Sequence, residues 1–277
     1  MSQVQTIFYL PDTLRKWPWK RSISPHYLTA HAESVAWIES FKPFSPQAQV
    51  AFNKGNFDKM DALKTRELCD AAMDAILHPD KPRPVGENII GEISRQFWQG
   101  ARCGAPLPAQ ERFVSTWRKY LDSVVLQSER RTNGYICTAD EYLAARRDNI
   151  GSDPAMVLLE LCLEVDIPHE VMEHPAVASL TEYTSYLITL DNDLCSYKRE
   201  FLSGNADYNA VTIAKTQLGM DLTDAVQWVS DLYDEIAHKF LQTMADVEAH
   251  KSGIPSWGAE MDSAVLAYIN GLGTYMI

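Results

Sequence analysis

Apolar residues recur along this chain at three- and four-residue spacing, the period of an amphipathic helix rather than of a strand. From Tyr27 the positions Val35, Ile38 and Phe41 hold that spacing until Pro43 ends it, and Pro46 to Phe52 opens a second helical stretch. Lys64 to Leu77 carries Leu68, Ala72, Ala75 and Ile76 on one side and is stopped by HPDKPRP. Gly86 to Arg102 has Ile89, Ile93, Phe97 and Trp98 as its stripe, and Gln110 to Gln127 has Phe113, Trp117, Leu121 and Val124. Thr138 with Glu141 three residues on is a capping box that opens the next helix. Pro154 starts a short apolar helix to Leu163. A longer one spans about Ala176 to Leu202 and stops at Ser203-Gly204-Asn205. Ala210 to Gln217, Leu222 to Thr243 and Trp257 to Leu272 follow. No segment alternates with period two between hairpin turns. The pattern predicts an all-α fold, a single domain over 1–277 with ten or more helices. A strap over 1–26 precedes them, where Leu10-Pro11 and Trp17-Pro18-Trp19 interrupt any helix.

Composition narrows the partners. With 277 residues, 46% of them hydrophobic, the chain can bury a large apolar interior. The net charge of −12 argues against nucleic acid, whose phosphates attract an excess of Lys and Arg. Five cysteines, Cys69, Cys103, Cys137, Cys162 and Cys195, include no C-x-x-C pair, which reads as a reducing compartment without a disulfide framework or a zinc site. The start MSQVQTIFYLPD has no basic segment followed by an apolar run. The apolar run Ala155 to Leu163 is broken by Glu160 and falls far short of the roughly 18 residues of a membrane span. A cytoplasmic protein without a membrane span is the expectation.

The chemistry concentrates in Leu187 to Glu200, LITLDNDLCSYKRE. Asn192, Ser196 and Glu200 stand at i, i+4 and i+8 and stack on one helical face. A carboxamide oxygen, a hydroxyl and a carboxylate are hard donors that suit Mg2+ and suit zinc or copper poorly. Mg2+ keeps waters and completes its shell with substrate phosphates, so three ligands on one helix fit a site that a phosphorylated substrate finishes. On the residues alone, a solvated polar face accounts for the same triplet.

Asn192-Asp193-Leu194-Cys195-Ser196-Tyr197-Lys198-Arg199-Glu200 resembles the (N/D)D-x-x-(S/T)-x-x-(K/R)-E triad of class I terpene cyclases, in particular the fungal sesquiterpene synthases of the mushroom type. YLPDTLRKWPWKRSISPHY, KPRPVGENIIGEISRQFW and PSWGAEMDSAVLAYINGLG resemble the same family in the same order, so nearly the whole chain is covered. The resemblance implies a helical bundle that ionises farnesyl diphosphate with Mg2+ and folds the carbocation against an apolar, aromatic wall. It implies that Asn192, Ser196 and Glu200 hold one ion and that Arg199 contacts the diphosphate. Arg147 in YLAARRDNIG resembles the diphosphate-sensing arginine, with Arg146 the neighbouring candidate and Ile150-Gly151 at the family's helix break. Phe97, Trp98, Tyr120, Tyr183 and Tyr186 are available for the wall; aromatics at helical spacing are equally plain core.

Two departures stand out against the family pattern. Its aspartate-rich motif, which holds the other two Mg2+ ions, has no counterpart, and about one helix and its neighbour are missing between Asp58 and Lys64. The nearby acidic pairs, Asp58 with Asp61 and Asp70 with Asp74, read as a turn and a solvated helix flank. The chain also stops at GLGTYMI, before the family's closing Arg-Tyr pair. Taken together, these features lead us to expect a farnesyl-diphosphate-cyclising lineage whose present chain is inactive or strongly impaired. The alternative is an active Mg2+-dependent cyclase whose first metal site is built from other acids, or whose missing segment is a gap introduced in predicting the coding sequence.

Overall fold

The structure is a computed structural model and describes residues 8–43, 45–47 and 61–276. Among them are α1 (Tyr27–Ser40), α2 (Ala62–Leu77), α3 (Ile89–Ala101), α4 (Leu107–Thr132), α5 (Ala139–Asn149) and α6 (Ser152–Cys162). There follow α7 (His169–Met172), α8 (Pro175–Ser203), a 3-10 turn (Ala206–Tyr208), α9 (Ala210–Gln217), α10 (Leu222–Glu248) and α11 (Ala259–Tyr275), with no strand among the described residues. The all-α expectation is met. Most of the stretch expected over Pro46 to Phe52, and Asp58, lie outside the described residues.

The ends of the helices follow local chemistry. Thr138 Oγ1 accepts the Glu141 N–H at 3.3 Å while Glu141 Oε2 accepts the Thr138 N–H at 3.1 Å, the expected capping box at the start of α5. Several boundaries differ from expectation by a few residues, two of the starts for a plain local reason. The helix expected from Gln110 to Gln127 instead opens at Leu107, with Pro106 as its N-cap and Pro108 in its first turn, because proline costs nothing in a first turn whose N–H groups have no helical partner, and it runs on to Thr132. The α3 helix begins at Ile89 and not Gly86, since Asn88 caps it by accepting the Ile90 N–H at 3.0 Å.

Helix α8 is the axis of the molecule. Its Val177, Leu180, Leu187, Leu190 and Leu194 are all buried in the main core, against Val229, Tyr233, Ile236 and Phe240 of α10 and Val265, Ile269 and Leu272 of α11. A second apolar cluster joins α2, α3 and α4 through Ile76, Trp98 and Phe113, with the Trp98 and Phe113 rings stacked at 4.5 Å. The α1 helix behaves differently. None of its residues is buried; of its expected apolar stripe Val35 stays exposed and Ile38 is half-buried.

The strap packs against α8. Thr13 Oγ1 donates to Asp191 Oδ1 at 2.8 Å, and the Phe8 ring meets Tyr197 edge-on at 6.1 Å. Trp17 is buried between Trp19 and Phe240, and its indole N–H donates to the Gly273 carbonyl at 2.8 Å. Gly273 is needed there, because a Cβ on it would overlap the Trp19 ring.

Candidate metal and diphosphate site

Helix α8 carries Asn192, Ser196 and Glu200 one turn apart, about 6 Å per step at 1.5 Å per residue. The row grades from exposed Asn192 through buried Ser196 to half-buried Glu200. Ser196 is the informative member. On the same helix the hydroxyls of Thr184, Ser185 and Thr189 each donate to the carbonyl one turn back, at 2.8, 3.3 and 2.8 Å. Ser196 Oγ is buried and makes no such bond. A buried hydroxyl without a partner is costly, so an atom left in that state marks a place where a ligand completes the bonding.

Glu200 is held from one side. Asn209 Nδ2 donates to its Oε2 at 3.0 Å, and among the described residues nothing bonds Oε1. The donor set therefore offers an amide oxygen, a free hydroxyl and one free carboxylate oxygen, and it fits a hard, oxygen-seeking ion.

The basic residues divide. Arg199 is exposed, lines an open groove along α8 with Cys195, Lys198, Leu202 and Ser203, and has no ion pair among the described residues. Arg146 is buried beside the row. Its Nη2 donates to Asp193 Oδ1 at 3.3 Å and its Nη1 to Asn149 Oδ1 at 2.9 Å, while its Nε–H is buried without a partner. The structure does not bring Arg147 to this place. That side chain pairs with Glu182 at 3.1 Å and Asp153 at 3.6 Å. Glu182 lies fourteen residues before Ser196, about 21 Å down the helix axis. Successive helical residues point about 100° apart, so of the Arg-Arg pair only Arg146 can reach Asp193 while Arg147 turns toward the other end of α8. The helix break falls where expected, with Ile150 as C-cap of α5 and Gly151 at φ +74°.

Asp193, Tyr142 and Asn209 complete the cluster, and none of them was singled out from the sequence. Asp193 is fully buried: its Oδ2 accepts the Tyr142 hydroxyl and the Ala210 N–H at 2.9 Å. Burial pushes its carboxyl up to about 6, against the opposing pull of Arg146, the Tyr142 hydroxyl and the Ala210 N–H. Burial likewise raises the Tyr142 phenol well above the usual range. One signal was available beforehand: Tyr142 and Arg146 are four apart on α5 and must share a face.

The nearby acids are engaged elsewhere. Asp61 caps α2 by accepting the Lys64 N–H at 2.9 Å, and Asp74 pairs with Arg83 at 2.7 Å and His78 at 2.8 Å. Asp70 is exposed, and among the described residues no three His, Cys, Asp or Glu side chains form a metal-sized group. Of the aromatics considered for a wall, Phe97 and Trp98 belong to the second core cluster, and Tyr186 donates to Glu182 at 2.6 Å.

Known proteins resemble this chain along most of its length. Residues 55–239, which include every residue of the cluster, match the family model described as terpene synthase family 2, C-terminal metal binding. A Delta(6)-protoilludene synthase of Stereum hirsutum is 36% identical over 302 positions, covering 97% of this chain and 79% of that protein. One from Hypholoma sublateritium is 37% identical, covering 96% and 85%. Since 97% of 277 residues is about 269, about 33 of the 302 positions shared with the Stereum protein have no residue here. Among solved structures, hedycaryol synthase in complex with HEPES superposes with a TM-score of 0.77 at 18% identity, covering 98% of this chain and 96% of that one. Linalool/nerolidol synthase from Streptomyces clavuligerus gives 0.75 at 18%, covering 98% and 100%.

Proposed function

Because the chain belongs to the terpene synthase family with a C-terminal metal-binding region, we propose that it retains one wall of a Mg2+-dependent site for a prenyl diphosphate. The substrate class is the fifteen-carbon farnesyl diphosphate, in line with relatives named as sesquiterpene and protoilludene synthases. Asn192, Ser196 and Glu200 would hold the ion. Mg2+, when bound, supplies positive charge against which a diphosphate leaves. Arg146 stands beside the row with an unused N–H, and Asp193 fixes its guanidinium so that it does not have to reorganise around an anion. Arg199 lies along the open groove, where its donors can bind diphosphate oxygens in pairs. Arg147, neutralised by two carboxylates, plays no part at these oxygens in this reading.

The opposite wall is where the chain departs from its lineage. Asp61 and Asp74 are committed to a cap and to ion pairs, and about 33 aligned positions of the Stereum relative have no residue in this chain. Removing a single electrostatic contact to a developing anion costs on the order of 10² to 10³ in rate, and the loss of a whole acidic wall costs more. We therefore infer a protein that binds the diphosphate and cyclises it slowly or not at all. The observation that carries the reading is the buried, unpartnered Ser196 hydroxyl in line with Glu200. The test is to incubate purified protein with farnesyl diphosphate and Mg2+ beside a protoilludene synthase, and to measure released pyrophosphate and volatile hydrocarbons. Turnover at least about 100-fold below the comparator is expected; turnover within tenfold of it would overturn the impaired reading in favour of a complete cyclase.

A further inference from the structure

We propose that Asn209 is a positioning residue of this site: its buried side-chain amide aims the Glu200 carboxylate. The inference rests on the metal-site reading above. Asn209 is fully buried at the start of α9 and uses both ends of its amide. Its Oδ1 accepts the Val211 N–H at 3.0 Å and so caps α9. Its Nδ2 reaches across to α8, donating to Glu200 Oε2 at 3.0 Å and to the Asp193 carbonyl at 2.9 Å. The next residue, Ala210, donates its N–H to Asp193 Oδ2 at 2.9 Å, and Asp193 Oδ1 receives Arg146. One junction between α8 and α9 therefore bonds the proposed metal ligand directly and also bonds Asp193, to which Arg146 donates.

Capping alone does not explain an asparagine at this position. Serine, threonine and aspartate cap helices about as well. Serine and threonine are too short to span to Glu200, and aspartate would present an oxygen where Glu200 needs a donor. Only asparagine combines the acceptor that α9 requires with a donor long enough to hold Oε2. A glutamate has three side-chain torsions, and an ion that must freeze them binds more weakly than one that meets a carboxylate already oriented. With Oε2 held, Oε1 has no bonding partner among the described residues and remains available to an ion.

The variant that separates these roles is Asn209→Ser, which retains a cap and removes the reach. Binding of Mn2+ in the presence of inorganic pyrophosphate, followed by electron paramagnetic resonance at a temperature well below unfolding, is the readout. The apparent Mn2+ affinity is expected to fall 10- to 100-fold, with the melting temperature of the metal-free protein lowered by only a few degrees. In a Glu200→Gln background the same substitution should have no further effect, because Asn209 acts through Glu200. Affinity within twofold of the parent, or an equal loss in both backgrounds, would overturn the proposal in favour of a purely structural asparagine. If Asn209→Ser does not fold, Asn209→Thr serves, with the same two outcomes. Failure of the parent protein itself to bind Mn2+ with pyrophosphate would overturn the metal-site reading and this inference with it.

Discussion

Replacing Ser196 with alanine should stabilise the metal-free protein while weakening its binding of metal and diphosphate. The Ser196 hydroxyl is buried with no bonding partner, and a buried polar group in that state carries a penalty of about 1–3 kcal/mol. Alanine is also the better helix former by about 0.5 kcal/mol, and the site lies well inside α8. The volume removed is a single oxygen atom, so little cavity cost opposes these gains. A net stabilisation of about 1–3 kcal/mol corresponds to a rise in melting temperature of roughly 2–6 °C for a chain of this size. Thr189→Ala provides the contrast. Its hydroxyl donates to the Ser185 carbonyl at 2.8 Å, so its removal sacrifices a made bond and a buried methyl and should destabilise by about 1 kcal/mol or more. Thermal and urea unfolding in the presence of a chelator measure both. A Ser196→Ala protein less stable than the parent would show that the hydroxyl has a structural partner, and the argument that it waits for a ligand would fail.

Three further substitutions probe other parts of the account. Gly151→Ala places a side chain at φ +74° and 3.2 Å from the Tyr120 ring, and should cost about 1–3 kcal/mol in urea unfolding. Gly273→Ala pushes a methyl into the Trp19 ring and disturbs the Trp17 bond to the same residue; a red-shifted tryptophan emission and a loss of about 1–3 kcal/mol are expected as the strap lifts. Glu92 is held down to about 2 by its hydrogen bonds and charge pairing with Arg95, so its contribution to stability is present above the usual glutamate value near 4.5 and is lost as pH falls toward 2. Glu92→Gln should flatten that acid limb by less than about 1 kcal/mol, since solvent screens the pair, and urea midpoints between pH 2 and 5 would show it.

Much of this architecture was legible in the order of residues, and the reason is periodicity. The α8 helix was expected from Ala176 to Leu202 and runs Pro175–Ser203, because a proline at the start and Gly204 at the end are strong local signals. The oxygen-bearing row was visible for the same reason. What stayed hidden depends on rotation and on neighbours. Arg146 and Arg147 are chemically identical and adjacent; only the packing of α5 against α8 decides which one meets Asp193. Asn209 lies nine residues beyond Glu200, across a turn whose path the pattern does not specify, so its reach back to α8 is a tertiary fact. The stripe on α1 shows the opposite limit. Helical spacing predicts a helix, and one forms, but burial needs a partner surface, and Val35 of the stripe stays exposed while Ile38 is only half-buried.

The central claim is that Asn192, Ser196 and Glu200 form a cation site completed by a diphosphate. Calorimetric titration of the parent protein with inorganic pyrophosphate, with and without Mg2+, tests it most directly. The account predicts heat of binding only when Mg2+ is present, lost in Asn192→Ala and in Glu200→Ala. Binding of equal strength without Mg2+, or unchanged in both variants, would contradict it.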